Sequence, residues 1–434
     1  MINVMKRAAA IASGDGDFVM VSQAPGYTNG DGTFEVESAY AEHLKVMRGI
    51  LGDRFRRLVL IGPLLDPAEY ERRRGELGKV NEAESGVTFI PAHPTNTSRL
   101  AFWFTQGWRV WRTVSRAVRQ ASVVQSGMST ELGRPLMAMA NLAAWWHGRP
   151  LVFVVDIDFR QHAKRFYLMG EWSFKSYLVN RYVYDPLKWL QVWLAPKISA
   201  LVLLKSMSLV RDFGRRLPHV KNFFDTVHSS AQVMSGPAAS QRIDWLRRDD
   251  VPLRAVYFGR LAPNKGVDLM IDAVGLAKQQ GVHLELTVIG SGECLAALQA
   301  QVQLSGLGDR VSFHPPVPYG DALFDRLRQT HVCLAAPRVE DTPRAAFDAM
   351  ARGLPLVAFD ITYFEDLAEE SRAVALARWP QPEELARRLV ELSGDRERLA
   401  QMASHALQFA ARNTQSHWLE TRMSWLYQFA LAPR

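Results

Sequence analysis

From Leu253 onward the sequence alternates apolar runs of strand length with longer stretches of helical periodicity, and this alternation constrains the fold more than any other feature. LRAVYFG, VHLELTVIG, RVSFHPPV, HVCLAAP and LPLVAFD are the strand runs. Between them lie VDLMIDAVGLAKQQG, ECLAALQAQVQLSGL and GDALFDRLRQ, whose apolar residues recur at helical spacing. Strands alternating with helices of this length argue for a parallel sheet covered on both faces. Such sheets bind ligands beyond the carboxyl ends of their strands. The first half repeats the style with longer insertions: DFVMVS, RRLVLIG, GVTFIPA, ASVVQSG, PLVFVVD and SALVLL read as strands. The loop QAPGYTNGDGT and a helix FEVESAYAEHLKVMRGIL follow the first of them. The expected fold class is α/β, with two Rossmann-like domains whose parallel sheets face each other across a cleft. Residues 1–215 form the first domain, and residues 216–250, rich in small and polar side chains, the junction. Residues 251–415 form the second domain, and an aromatic-bearing helix at 416–434 crosses back to the first.

The chain has 434 residues, 22% of them charged and 48% hydrophobic, which describes a folded protein with room for two cores. Its two cysteines, Cys294 and Cys333, have no metal-ligand neighbours, so the pattern points away from disulfides and zinc and toward a reducing compartment. The N-terminal MINVMKRAAAIASGDG has a basic pair, but its apolar stretch is too short for a signal peptide. No run approaches the ~20 apolar residues that span a bilayer. The expected location is cytoplasmic, at the inner face of the membrane if the chain touches lipid. A net charge of +8 calls for an anionic partner. Without zinc-finger or RNP signatures, nucleic acid is not that partner, which leaves a phosphorylated ligand and an anionic membrane face.

Two segments carry candidate chemistry. In RVEDTPRAAFDAMARGLPLVAFD, Thr342 is placed to cap a helix, Pro343 to occupy its first position and Gly353 to end it. Glu340 then sits in the loop ahead of the helix, and Asp348 lies about a turn and a half into it. In YFGRLAPNKGVDLMI, Gly259 permits a tight turn after a strand, with Arg260 and Lys265 around the loop. A turn at a helix start with two fixed cations suits a diphosphate; the competing reading is a solvated basic loop. VIGSGE, with Gly290, is a further strand-to-helix turn. A glycosidase acid pair would need carboxyls ~5–10 Å apart. A nucleotide spanning Glu340 and Asp348 fits their spacing better.

The order and spacing of GRLAPNKG and EDTPRAAFDAMARGLPLVA resemble the donor-binding half of the family 4 retaining glycosyltransferases of GT-B fold, over roughly Arg254 to Asn413. The resemblance implies that Glu340 and adjacent amides, around Thr342, Pro343, Arg344 and Ala345, hold the donor sugar. It implies that Asp348 holds the ribose, and that Arg260 and Lys265, with Gly259 and Gly290 beside them, hold the diphosphate. Where the family has a second Glu, this chain has Asp348, one methylene shorter. Many relatives carry a sugar-contacting His at the strand end where this chain has Asp156. Glu340, Arg260, Lys265 and Asp156 are accordingly the candidate catalytic residues. Transfer would build negative charge on the departing diphosphate, which Arg260 and Lys265 would stabilise.

Other motifs are less telling. TNGDGTFEVE imitates a calcium loop without its bidentate Glu and reads as a flexible glycine loop facing the cleft on the acceptor side, with Gly26, Gly30 and Gly32 permitting close ligand approach. Asp156 and Asp158 imitate an Asp-x-Asp metal site in the wrong fold context, so no metal and no cofactor is expected beyond the nucleotide-sugar co-substrate. In RLAFWFTQGWRVWRTVSRAVRQ, Arg109, Arg112, Arg116 and Arg119 share one helical face beside an apolar stripe of Phe104, Trp108, Trp111 and Val118. Such a helix either lies on anionic lipid or packs its aromatics on the sheet. The expected function is hexose transfer from a UDP- or GDP-type sugar to a hydroxyl of a glycan or lipid-linked glycan, in cell-surface polysaccharide assembly. A nucleotide-sugar epimerase of the same architecture, or a non-catalytic nucleotide- or membrane-binding module, are the alternatives.

Overall fold

The computed structural model describes residues 16–431, so the N-terminal stretch weighed above as a signal peptide lies, up to residue 15, outside the described residues. The first parallel sheet comprises β1 (Asp17–Val21), β4 (Leu58–Leu64), β6 (Val87–Pro94), β7 (Ala121–Gly127), β8 (Leu151–Val155), β9 (Leu201–Leu204) and β10 (Val220–Asn222), in the order β10-β9-β8-β7-β1-β4-β6. Three short strands, β2 (Tyr27–Thr28), β3 (Thr33–Glu37) and β5 (Leu77–Asn81), make a separate antiparallel sheet. The second parallel sheet holds β11 (Leu253–Phe258), β12 (Leu284–Ile289), β13 (Val311–His314), β14 (Val332–Ala335), β15 (Leu356–Phe359) and β16 (Val374–Ala377), ordered β13-β12-β11-β14-β15-β16. These are two Rossmann-like α/β domains, the pair of sheets that defines the GT-B class.

By its contacts the chain divides into two compact units. One contains the described residues up to Asp156, Leu178–Phe223 and the chain from Leu419 onward; the other contains Ile157–Tyr177 and Phe224–Trp418. The segment 157–177, grouped in the sequence with the first domain, therefore packs with the second. Residues 216–250, expected as an irregular junction, hold β10 and a helix, Gly236–Leu246.

In the second unit both faces of the sheet are covered. Along β11, Ala255 and Tyr257 enter one apolar cluster and Val256 and Phe258 the other, the period-two pattern of a strand buried on both sides. In the first unit Val19, Val21, Val59 and Ile61 pack against Val110, Val114 and Val118 of the helix Gly107–Gln120. That seam at fourfold spacing corrects the expected stripe. Val118 belongs to the buried face, Trp111 is half-buried, and Phe104 and Trp108 are exposed, at 87% and 64%. A π-helical turn, Phe102–Gln106, precedes this helix and shifts the phase of its first residues relative to the seam.

The glycine segment also differs from expectation. Gly30 and Gly32 stand, both at positive φ, in the exposed turn between β2 and β3, so the segment is a hairpin and not a loose loop. A side chain at Gly26 would lie 2.9 Å from the Phe89 ring, so this glycine serves packing. FEVE, expected as the start of a helix, is part of β3, with Phe34 and Val36 buried; the helix begins at Ser38.

Candidate functional site

In the second sheet β12 and β13 extend to one side of β11, and β14, β15 and β16 to the other. The chain direction across the sheet therefore reverses between β11 and β14, which is where an open α/β sheet leaves a crevice for ligand. The loops leaving these two strands carry Arg260 to Lys265 and Arg338 to Arg344, the segments singled out in the sequence.

These loops press main chain against main chain. A Cβ on Gly290 would lie 2.0 Å from the Gly259 carbonyl oxygen, and one on Gly266 would lie 2.0 Å from that of Ala336. Gly266 also holds a φ of 64° at the start of the helix Val267–Gln279. Leu261 donates its N–H to Ser291 at 2.8 Å and Arg338 to Asn264 at 2.9 Å, tying the loops together. Gly290 is thus required for loop packing. Arg260 is exposed, and Tyr257 donates its hydroxyl to the Arg260 carbonyl at 2.8 Å. Lys265 Nζ lies 2.5 Å from Asp341 Oδ2, with both side chains about four-fifths covered.

Glu340 is buried at 4% exposure. Arg165 Nη1 donates to its Oε1 at 2.5 Å, and the Thr362 N–H and hydroxyl donate to the same oxygen at 3.2 and 3.0 Å. All three donors converge on Oε1 and none of them on Oε2. Burial raises this carboxyl above the ordinary carboxylate range; Arg165 opposes the shift and Asp158 adds to it. The Arg165 guanidinium also lies 5.3 Å from the centre of the Trp379 ring. Asp348 is equally buried and makes no salt bridge among the described residues, though the Arg344 charge acts on it. It accepts from Tyr319 Oη at 3.1 Å, and burial pushes it up to about 7.

The local helix departs from the sequence reading. It spans Ala345–Ala351, two residues later than expected, and Asp348 stands in its first turn. Thr342 does not cap it; its N–H is taken by Asp341 Oδ1 at 3.0 Å. The Arg344 carbonyl accepts from Phe347 and, at longer range, from Asp348, which tightens the first turn. Pro343 accepts from the Ala346 N–H, and Ala345 opens the helix proper. Gly353, at φ 67°, ends the helix as expected.

Asp156 is exposed just past the carboxyl end of β8, in the first unit. Asp158 is buried and bound by Arg160, 2.5 Å away. The reading of the sequence missed Asp341, Arg165, Thr362 and Tyr319. Asp341 and Thr362 could have been found, since Asp341 lies in the segment that connects β14 of the second sheet to the helix after it and Thr362 opens the helix that follows β15. Arg165 stands 175 residues from its partner, and no local pattern marks it.

The first sheet has its own reversal between β1 and β7, and a cavity of about 210 Å³ lies beyond it. Gln23, His93, Thr95, Glu131 and Arg134 line it. Arg134 grips Glu131 through two hydrogen bonds of 2.9 and 3.0 Å, and burial holds the His93 imidazole below its ordinary value. His93 stands in the last residues of β6, and the other four lie in the segments that follow β1, β6 and β7.

Comparison with known proteins gives this arrangement a family context. Residues 252–395 match the family described as glycosyl transferases group 1. Over 184 residues the chain is 28% identical to a D-inositol 3-phosphate glycosyltransferase of Nocardia farcinica, covering 40% of this chain and 41% of that protein. Over 147 residues it is 32% identical to the amylovoran biosynthesis glycosyltransferase AmsK of Erwinia amylovora, covering 33% and 36%. The chain thus matches well under half the length of these relatives. The fold extends further: the structure of Anabaena Alr3699/HepE in complex with UDP and glucose superposes over 95% of this chain and 99% of that one, with a TM-score of 0.59 at 16% identity. The match to the group 1 family falls within the second unit, and the chain as a whole has the two-domain fold of GT-B glycosyltransferases.

Proposed function

We propose that this chain is a retaining glycosyltransferase of family 4 that moves a hexose from a nucleoside-diphosphate sugar to a hydroxyl of a glycan or lipid-linked glycan. The observation that supports the reading is that Arg260, Lys265 and Glu340 lie on the loops leaving β11 and β14, the strands at the reversal, with Asp348 on the helix that follows, inside the segment that matches the group 1 family. Arg260 and Lys265 meet the diphosphate and stabilise the charge it gains on leaving. Asp341 holds Lys265 until the phosphates displace it. Glu340 Oε2 accepts a sugar hydroxyl while Arg165 and Thr362 fix Oε1. Tyr319 already gives Asp348 the kind of hydroxyl donor that a ribose offers. The Anabaena relative's UDP and glucose, and the polysaccharide named for AmsK, favour this substrate class and a role in polysaccharide assembly. The acceptor meets the cavity at Gln23, His93 and Glu131, with Asp156 and the hairpin glycines as further acceptor-side candidates. No metal takes part, so transfer persists in EDTA.

We further infer that the first unit rests on an anionic membrane at the cytoplasmic face. Among the described residues no helix is long and apolar enough to cross a bilayer. The helices before β7, β8 and β9 belong to crossovers that step the same way across the sheet, which places them on one face. They leave Phe104, Trp108, Trp145, Trp146, Trp189 and Trp193 exposed. From Arg99 to Val155 the only acid is Glu131, which Arg134 neutralises. Exposed aromatics among arginines suit an anionic lipid surface.

Three variants test the donor site by calorimetric binding of UDP and GDP beside initial rates. Glu340→Ala cripples transfer and spares nucleotide affinity, because the bare nucleotide has no sugar to hold. Lys265→Ala weakens both, by ~1.5–3 kcal/mol for a charge-assisted contact. Asp348→Ala weakens the nucleotide by less. Equal loss of nucleotide affinity in Glu340→Ala and Lys265→Ala overturns the sugar role, and turnover of the donor without any acceptor indicates an epimerase.

A further inference from the structure

At the other end of the second sheet, beside the amino ends of its strands, lies a cavity of about 540 Å³ that none of the chemistry above uses. Arg254 enters it from the start of β11, Arg328 and Gln329 from just before β14, and Arg352 from just before β15. Arg242 and Trp245 reach it from the helix Gly236–Leu246. The lining contains four arginines and no acid.

Two of these arginines are buried, Arg242 at 4% and Arg352 at 9% exposure. Both donate to main-chain carbonyls. Arg242 reaches Arg328 and Thr330, and Arg352 reaches Gln232 at 3.1 Å. Each also leaves its Nε without a partner among the described residues. Carbonyls orient a guanidinium but supply no counter-charge. Asp325 is paired to Arg328 at 3.4 Å, and Glu285 to Arg254 at 3.1 Å. The two rim arginines thus have carboxylates, and the two buried ones have none in ion-pair contact among the described residues. Trp245 adds its ring beside Arg242, at 4.9 Å.

The field at Arg242 is positive, whereas at Arg352 the Arg328 charge is opposed by Asp325 and Asp321. Burial, with the Arg352 charge as the second cause, lowers Arg242 to about 9. His331, stacked on Trp245 at 4.2 Å, is pushed down to about 3 by burial and by Arg396, Arg242 and Arg254. Capping the turn at 328–330 explains why an arginine points there. It does not explain like charges buried side by side, since buried charges are ordinarily paired.

We propose that this cavity binds a phosphorylated small molecule, whose oxyanion supplies the counter-charge for Arg242 and Arg352. Guanidinium pairs match phosphate oxygens bidentately, and a volume of this order holds a small metabolite (typical ligand sites are about 300–1,000 Å³). Because the cavity and the loops at Lys265 lie at opposite ends of the same strands, both can be filled at once. A ligand here is an effector and not a competitor of the donor.

Calorimetric titration of inorganic pyrophosphate into the full chain tests this. In a Lys265→Ala background, which weakens the donor loops, binding persists. Adding Arg352→Gln or Arg328→Gln to that background weakens it by about tenfold or more, the loss of one charge-assisted contact. Arg328 has a side chain 62% exposed, so its replacement keeps the test decisive if Arg352→Gln does not fold. Loss of all pyrophosphate binding in Lys265→Ala, or full affinity in both arginine variants, overturns the proposal. UDP affinity unchanged in Lys265→Ala would instead sink the donor-site reading and leave this one standing.

Discussion

Replacing Arg165 by glutamine should unmask the cost of burying Glu340. The side chains of the pair are 11% and 2% exposed, so solvent screens their interaction little. Removing one partner of a buried ion pair costs about 3–5 kcal/mol, because a charge is left without compensation. The two donors from Thr362 survive the substitution and hold the loss near the lower bound. For a unit of this size, roughly 3 kcal/mol lowers the melting temperature by about 6–12 °C. The sign of the pH dependence is fixed by burial. Glu340 is raised from an ordinary value of 4.5, so above that value the folded chain retains a proton that the unfolded chain gives up. Its contribution to stability therefore falls as pH rises through this window. Without Arg165 the carboxyl shifts further upward, and the window widens. Melting curves of the wild type, Arg165→Gln and Arg165→Lys at about pH 5 and about pH 8 should give the larger deficit for Arg165→Gln at the higher pH, with Arg165→Lys between. An equal deficit at both pH values, or none at about pH 8, refutes the reasoning.

Asp348, pushed up to about 7, should make nucleotide binding pH-dependent: the affinity difference between wild type and Asp348→Asn grows as pH rises through neutrality, and Tyr319→Phe moves that midpoint upward. A difference that stays flat in calorimetric titrations counts against a ribose contact. Gly290→Ala should destabilise the second unit by roughly 3 kcal/mol or more in chemical denaturation, since its new methyl meets the Gly259 carbonyl at 2.0 Å. Gly308→Ala, with open space around it, should be nearly neutral. Binding to anionic vesicles should be salt-sensitive and lost when Arg109, Arg112, Arg116 and Arg119 are all replaced by Glu; co-sedimentation unchanged by that substitution sinks the membrane reading.

What the sequence revealed follows the range of the forces involved. Strands buried on both faces announce themselves as continuous apolar runs, so the core strands of both sheets were legible from local composition. The strand β3 was not. Its alternation, Phe34 and Val36 inward with Glu35 outward, spans only five residues and runs directly into a helix. What makes it a strand is pairing with β5, about forty residues on, and no local propensity reports that partner. The helix at Ala345 began late for a similar reason. A good cap residue, Thr342, does not serve as the cap: the helix opens at Ala345 with Arg344 at the N-cap position, and Asp341 takes the Thr342 N–H.

The candidate site divides along the same line. Lys265 and Glu340 were legible because ligand loops follow strand ends, a rule of topology that the strand pattern already fixes. The partners that set their chemistry were not. Asp341 decides where Lys265 rests, and Arg165, from a segment that packs with the second unit and not the first, decides how much of Glu340's charge survives burial. Glu340 and Asp348 look interchangeable in the sequence, two acids eight positions apart. Burial raises both, but a contacting guanidinium opposes it at Glu340, whereas at Asp348 the Tyr319 phenol opposes it first and the Arg344 charge second. A contacting ion pair at one acid and a neutral donor at the other separate the two, and it is Asp348 that burial carries up to about 7.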